Sequence, residues 1–253
     1  MPAATFAAHL LDLIAPPACL GCDRSIAPGD SARLVCRRCR TLLRPPPAPL
    51  CERCGASRLA TGRVEGRLCP ECRDWPAFLW SCRSACLMHP PADRLVHQIK
   101  YRGWPALAEP MAERLAMVLL PAAVTEEARL CIPVPTTAAR RRARGYNQAE
   151  LLARGFARRS RRRLLDALTR DAAPSSQTTL QPASRGANVA GAFRVHPAAA
   201  PDLRDAHVLL IDDVITTGAT GAECAAALVE AGARCVSALS FARALDARRL
   251  TET

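Results

Sequence analysis

Eight of the thirteen cysteines occur near the start of the chain as four Cys-x2-Cys pairs. A Cys-x2-Cys turn points two sulfurs at one position, and a second turn completes the tetrahedral set of four that Zn²⁺ prefers. The two halves of this segment have nearly the same internal spacing, which is typical of two successive zinc ribbons. The predicted metal ligands are Cys19, Cys22, Cys36, Cys39, Cys51, Cys54, Cys69 and Cys72.

With four protein sulfurs on each metal ion, no coordination position is open to water, so both sites are expected to be structural. Because this segment is poor in long apolar stretches, zinc is expected to supply most of its folding free energy. The simplest assignment places one site in each half, and exchange of pairs between the halves is the alternative. The segment is either a clip for two small knuckles or a surface for DNA or a protein partner.

An acidic pair and a threonine-rich loop follow an apolar run late in the chain. Residues 208–211 are continuously apolar, as expected of a strand buried on both faces, and Asp212 and Asp213 come directly after them. Open α/β sheets bind ligands at this end of their strands, and the start of the next predicted helix favours a phosphate. Two carboxylates beside a phosphate suit sugar hydroxyls, with Mg²⁺ to balance the charge. The pattern therefore indicates a sugar-phosphate site.

Residues 208–220 closely resemble the phosphoribosyl pyrophosphate (PRPP) motif of type I phosphoribosyltransferases. By that resemblance, Asp212 and Asp213 contact the ribose hydroxyls, and the loop that follows them cradles the 5′-phosphate. The loop residues assigned to the phosphate are Thr216, Thr217, Gly218, Ala219 and Thr220.

A wider resemblance, to the ComF family, spans nearly the whole chain; this family includes proteins needed for natural transformation. Besides the cysteine pairs, the segments that carry it are residues 99–103 (IKYRG), 132–135 (IPVP), 144–148 (RGYNQ), 177–180 and 185–193. Tyr146 stands where phenylalanine is more usual in the family. The resemblance implies a zinc-ribbon head on a phosphoribosyltransferase-like body.

Related enzymes contact pyrophosphate through the loop after the strand that ends near residue 134, which assigns Pro135 and Thr136 to that group. Arg144 belongs to an arginine run at residues 140–144, directly after this loop. Guanidinium groups fork onto phosphate oxygens, so this run is a candidate for pyrophosphate or for a DNA backbone. A solvated arginine face is the alternative.

The polar stretch at residues 171–191 corresponds to the flexible hood that closes over PRPP in related enzymes, and Gln177, Arg185 and Asn188 are its candidates to reach the ligand. Asp212, Asp213 and Arg185 are the predicted catalytic residues. A general base is less evident, because Thr216 stands where some relatives have an acid, and arginine stays protonated. We therefore carry three hypotheses: a Mg²⁺-dependent phosphoribosyltransferase (pentosyl transfer), a DNA-uptake factor that binds single-stranded DNA or competence proteins, and a PRPP-sensing adaptor whose zinc head engages a protein.

These clusters require an α/β scaffold, and the second part of the chain alternates apolar strands with amphipathic helices. Strands are predicted at residues 81–88, 129–134, 207–212 and 234–241, and helices at 91–101, 105–120, 147–159 and 220–231. We expect a type I phosphoribosyltransferase-like, mainly parallel sheet flanked by helices, behind an N-terminal double zinc ribbon. The predicted division is an N-terminal helix at 1–15, the ribbons at 16–75 and the phosphoribosyltransferase-like domain at 76–253.

The formal net charge of +12 favours an anionic partner, although two Zn(Cys)4 sites would lower it to about +8. Aromatic residues make up only 4% of the chain, so base-stacking residues are few, and Trp75, Trp80 and Trp104 are interpreted as packing residues. No apolar run reaches the ~18 residues of a membrane span, and residues 5–14 lack the features of a signal peptide. We expect a cytoplasmic protein without membrane insertion, acting in DNA uptake or nucleotide metabolism.

Overall fold

The computed structural model describes residues 17–26, 34–58, 69–171 and 191–244. The helix predicted at residues 1–15 lies outside the described residues. So do Gln177, Arg185 and Asn188, the ligand-binding candidates of the predicted hood.

The described part of the chain contains an α/β body preceded by the two cysteine-rich ribbons. Its strands are β1 (Leu79–Leu87), β2 (Leu130–Pro133), β3 (Arg163–Leu164), β4 (Leu168–Arg170), β5 (Phe193–Val195), β6 (His207–Ile215) and β7 (Cys235–Arg243). Its helices are α1 (Arg37–Leu42), α2 (Ala92–Tyr101), α3 (Ala108–Ala116), α4 (Ala122–Glu127), α5 (Ala138–Arg144), α6 (Gln148–Ser160), α7 (Ala200–Leu203) and α8 (Ala219–Glu230). None of these helices has both the length and the apolar content to cross a membrane.

Five strands form one sheet in the order β1-β7-β6-β2-β3, and every neighbouring pair is parallel. Strands β4 and β5 form a separate antiparallel pair. Parallel strands are joined by crossovers that place helices on both faces, so the central strands are buried on both sides. The predicted fold class, a mainly parallel sheet flanked by helices behind a zinc-ribbon segment, is confirmed.

Strand β6 shows how the two faces of the sheet divide the core. Val208 and Leu210 pack into one apolar cluster with Leu228 of α8. Leu209 and Ile211 point to the opposite face and join a second cluster with the helices α2, α3 and α6. This alternation follows from the period of two along a strand, and it fixes which helices lie beside which side chains.

The two ribbons share these two cores. Cys19 and Cys39 of the first ribbon belong to the cluster on the α2, α3 and α6 face. Cys51, Cys54 and Cys72 of the second ribbon belong to the cluster on the α8 face. The ribbons therefore pack against opposite faces of the sheet.

Two predicted boundaries were wrong, and the short helices α1, α4, α5 and α7 and the short strands β3, β4 and β5 were not predicted. Strand β6 continues past residue 212, because its pairing with β7 extends to Ile215, so both acids lie within the strand. The helix predicted at residues 105–120 is a 3₁₀ turn (Pro105–Leu107) followed by α3, which ends at Ala116. Helix α5 buries none of its residues and therefore has no apolar period, although the Thr137 N-cap and Gly145 after its end are ordinary boundary signals.

Candidate functional site

The eight paired cysteines form two tetrads in which the sulfurs lie within 4.8 Å of one another. The first tetrad is Cys19, Cys22, Cys36 and Cys39, and the second tetrad is Cys51, Cys54, Cys69 and Cys72. Each tetrad stays within its own half of the segment, as in the simpler of the two predicted assignments. Four converging thiols are the donor set of a structural zinc site, so the residues present fit the metal.

Backbone amides support thiolate formation in the first tetrad. The N–H groups of Cys36 and Gly21 donate to Cys19 Sγ at 3.3 and 3.4 Å. Burial opposes ionisation of Cys19, but these backbone hydrogen bonds outweigh it and lower the pKa of this thiol to about 7. A thiol of lowered pKa releases its proton to a metal more readily at neutral pH.

The second tetrad is tied to the sheet by two arginines. The Arg53 guanidinium donates to the carbonyl oxygens of Cys72 at 3.1 Å and Trp75 at 3.0 Å. Arg243, at the end of β7, is only 2% exposed and donates to the Cys54 carbonyl oxygen. Its positive charge opposes the rise in the Cys54 pKa that burial causes, and it would offset part of the net −2 charge of a Zn(Cys)4 centre.

The acidic pair lies in the carboxyl-terminal half of β6, toward the edge at which open parallel sheets usually bind ligands. Asp213 is 3% exposed, and the Lys100 ammonium at the end of α2 lies 2.7 Å from its Oδ2 as an ion pair outside hydrogen-bond geometry. Asp212 Oδ1 accepts from the backbone N–H of Asp213 at 2.8 Å. Burial, and then the charge of Asp213, raise the pKa of Asp212 well above its usual range. The pair therefore favours a cation or a hydroxyl-bearing ligand.

Residues 216–218 join β6 to α8. They and the first three residues of α8, together termed the 216–221 loop, line a cavity of about 230 Å³ with Asp212. Gly218 gives α8 no side-chain cap, and the Ala219 N–H donates to Thr217 Oγ1 at 3.4 Å. The N–H groups of Thr220 and Gly221 precede the helical bond from Ala222 to Gly218, so they are available to an anion. The Trp75 indole N–H donates to the Thr217 carbonyl oxygen at 2.9 Å. All five loop residues predicted from sequence, Thr216 to Thr220, line this cavity.

A second cavity, of about 470 Å³, lies beside Lys100 and is cationic. Its lining residues are Lys100, Tyr101, Gly103, Thr136, Arg140, Ala143, Arg144 and Gln148. The Arg144 guanidinium donates to Gln148 and lies 5.8 Å from the centre of the Tyr101 ring. Since Lys100 lines this cavity and also pairs with Asp213, its ammonium connects the cationic cavity to the acidic pair.

The structure brings the predicted residues into two adjoining groups. Thr136 and Arg144 line the cationic cavity, and Pro135 lies between β2 and α5, where Asn147 donates to the Val134 carbonyl oxygen at 3.0 Å. No role in the site was predicted for Lys100, although it is the only lysine in the chain. The prediction that the tryptophans pack in the core is confirmed for Trp75, which is 9% exposed, but is wrong for Trp80 and Trp104, which are 43% and 41% exposed. The hydrogen bond from Trp75 to the loop was not predicted; the position of Trp75 three residues after the last paired cysteine was the available signal.

Comparison with known proteins identifies the ribbons and full-length relatives. Residues 10–73 match the family described as a double zinc ribbon domain. The chain is 29% identical over 237 residues to the DNA utilization protein YhgH of Escherichia coli O6:H1 (strain CFT073), covering 92% of this chain and 100% of the relative. It is 28% identical over 237 residues to YhgH of E. coli K12, with the same coverage, and 29% identical over 205 residues to YhgH of Salmonella typhimurium LT2, covering 78% of this chain and 85% of the relative. The chain carries a double zinc ribbon and is homologous to proteins named DNA utilization protein.

Proposed function

We propose that this protein binds PRPP with Mg²⁺ between the 216–221 loop and the cationic cavity, and that it works in the uptake or use of DNA. One observation carries the proposal. Asp212 and the start of α8 line a single cavity, and Lys100, which forms an ion pair with the neighbouring Asp213, lines a second cavity with Arg140 and Arg144. Such a site offers separate places for a phosphate, a sugar and a further phosphate group.

The 5′-phosphate belongs in the loop cavity. Free N–H groups at the start of α8 and its helix dipole attract an anion there. Thr216 and Thr217 are exposed, so their hydroxyls are free to donate to phosphate oxygens. Ala219 is exposed and has a small side chain, so the ligand can approach the backbone closely there.

The ribose and the metal ion belong beside the acidic pair. Carboxylate oxygens are the ligands that Mg²⁺ prefers, and a cation would relieve the repulsion that raises the pKa of Asp212. When bound, Mg²⁺ supplies positive charge to the pyrophosphate oxygens. Asp212 and Asp213 accept hydrogen bonds from the ribose hydroxyls in this arrangement.

The pyrophosphate belongs in the cationic cavity. Lys100, Arg140 and Arg144 supply three positive charges there, and none of the described residues that line the cavity carries a carboxylate. In the enzymatic form of the proposal, ribose C1 exchanges pyrophosphate for an acceptor nucleophile, and these charges stabilise the leaving group. In the non-enzymatic form, the same contacts bind PRPP as a signal that alters contacts with DNA or a protein partner.

Direct binding of single-stranded DNA is the second candidate function. Tyr101 is 69% exposed at the rim of the cationic cavity, and Trp104, three residues further on, is 41% exposed. Exposed aromatic rings beside arginines are the usual platform for unpaired bases. The names of the homologous YhgH proteins agree with a role in DNA use.

The test of the first proposal is calorimetric titration of PRPP with Mg²⁺ into zinc-loaded protein. We expect micromolar binding in the wild type, loss of binding in Asp212→Ala/Asp213→Ala, and no change in Asp74→Ala, whose side chain is 87% exposed. Absence of binding to the folded wild type would overturn the proposal.

The test of the second proposal is an electrophoretic mobility shift with an unstructured oligonucleotide at low salt. Tyr101→Ala/Trp104→Ala should weaken the shift, whereas Met117→Ala, another exposed apolar residue, should not. An unchanged shift in the aromatic variant would exclude this surface.

A further inference from the structure

Trp75 forms a direct contact between the second ribbon and the 216–221 loop. Its indole N–H donates to the Thr217 carbonyl oxygen at 2.9 Å. Gly218 has φ +85°, and a Cβ placed there would lie 2.3 Å from the Trp75 ring. The loop backbone therefore rests on the indole ring with no room for a side chain, and the ring determines where the loop can lie.

The position of Trp75 depends in turn on the second tetrad. The Trp75 backbone N–H donates to the Cys72 carbonyl oxygen at 3.1 Å, and the Arg53 guanidinium bridges the carbonyl oxygens of the same two residues. Trp75 is 9% exposed and packs in the apolar cluster that contains three cysteines of this tetrad. A bound metal ion holds together the turns that supply its thiolates. Because Trp75 is attached to such a turn, the metal site fixes the position of the indole ring.

The first tetrad is anchored elsewhere. Asp23, beside its first cysteine pair, forms an ion pair with Arg94 of α2. Arg114 of α3 donates to the Leu43 carbonyl oxygen at 2.8 Å, just after α1. Its buried cysteines pack on the face of the sheet opposite to α8. The second tetrad is therefore connected to the 216–221 loop through Trp75, whereas the contacts of the first tetrad lead to α2 and α3.

We propose that Trp75 is a positioning residue through which the second tetrad, and not the first, orders the 216–221 loop and controls ligand binding there. Linkage makes the effect reciprocal: a ligand that needs the ordered loop must strengthen metal retention at the second tetrad by the same factor. The ligand's identity rests on the proposed function, but loop order can be measured without any ligand.

Hydrogen exchange of the loop amides, followed by mass spectrometry, tests the proposal without ligand. Trp75→Phe keeps an aromatic ring but removes the donor to Thr217, and we expect about fivefold faster exchange at residues 216–221 with two zinc ions still bound. Cys51→Ser/Cys54→Ser should give a larger increase, and Cys19→Ser/Cys22→Ser should leave loop exchange unchanged. The proposal would be overturned if the loop amides of Trp75→Phe exchanged at the wild-type rate, or if the two cysteine variants changed the exchange rate of the loop equally.

Zinc release to a chromophoric chelator tests the reciprocal effect. PRPP with Mg²⁺ should slow the release of one zinc ion out of two in the wild type, and this protection should shrink about fivefold in Trp75→Phe. If PRPP does not bind but loop exchange still follows the second tetrad, the proposed function fails and the coupling stands. If PRPP binds with equal affinity to Trp75→Phe and loop exchange is unchanged, the coupling fails and the proposed function stands.

Discussion

The two zinc ribbons have the same ligand set but different surroundings. In the first tetrad two of the four cysteines are buried, and in the second tetrad three are. The first ribbon reaches α2 through an exposed ion pair, whereas the second receives a hydrogen bond from the buried Arg243 and contacts the 216–221 loop through Trp75. A repeated metal motif therefore does not imply a repeated role, because the role depends on what each copy packs against.

The largest difference between the ribbons is expected when one metal site is removed at a time and the change in Tm is compared. Cys54→Ser/Cys72→Ser leaves Arg243 buried without its counter-charge, so we expect Tm to fall by about 10–20 °C, or roughly 5 kcal/mol for a chain of this size. Cys22→Ser/Cys36→Ser removes a less buried site and should lower Tm by less. Scanning calorimetry with zinc analysis measures both, and equal losses would remove the distinction between the ribbons.

Arginine substitutions probe the same difference without touching a metal ligand. Arg243→Met should cost about 3–5 kcal/mol, because it removes a buried charge that the second tetrad requires. Arg94→Met is the matched change at the first ribbon, and it should have little effect because Arg94 is exposed. Urea unfolding of both variants gives the comparison; a tolerated Arg243→Met would show that the charge of the second tetrad is offset by other groups.

Glycine substitutions isolate the contact with Trp75. Gly145 and Gly218 have nearly the same φ, +86° and +85°, but only Gly218 faces a ring. Gly145→Ala should cost about 1–2 kcal/mol of backbone strain. Gly218→Ala should cost about 1–3 kcal/mol more because of overpacking. Urea unfolding measures both costs. The additional cost of Gly218→Ala over Gly145→Ala should be smaller in a Trp75→Leu background. An unchanged additional cost there would show that it does not arise from the contact with Trp75.

The smallest effect concerns Asp212, whose raised pKa comes from burial and from Asp213 and not from either ribbon. The pKa of an aspartic acid in the unfolded chain is about 4. When the folded state raises that pKa, the free energy of unfolding of the protein falls as the pH rises above about 4. Asp212→Asn should therefore raise Tm of the ligand-free protein at neutral pH, with a difference that narrows toward pH 4. Thermal melts across this range, with Asp74→Asn as the exposed control, should give the same trend in the wild-type and Trp75→Phe backgrounds. A trend that changes with Trp75 would show that the second ribbon also acts on the acids.

The sequence allowed prediction of the features that are encoded locally. Both tetrads follow from Cys-x2-Cys turns, and the residues from Asp212 to Thr220 are contiguous, so the strand, the loop and the helix start could be placed together. The Trp75–Thr217 contact joins positions 142 residues apart, and Lys100 meets Asp213 only after α2 and β6 pack together. No local pattern encodes such contacts. Likewise, the arginines of α5 could be identified, but the helix that carries them could not, because it buries none of its residues.

The burial of Trp75 has an optical consequence. The chain has three tryptophans, and Trp75 is 9% exposed whereas Trp80 and Trp104 are 43% and 41% exposed. An indole shielded from water emits at a shorter wavelength than a solvent-exposed one. The indole N–H of Trp75 is also hydrogen-bonded to the 216–221 loop. In a Trp80→Phe/Trp104→Phe chain, the remaining emission would come from the ring beneath Gly218. This variant would carry a single tryptophan as an intrinsic fluorophore beside the loop where the phosphate is proposed to bind.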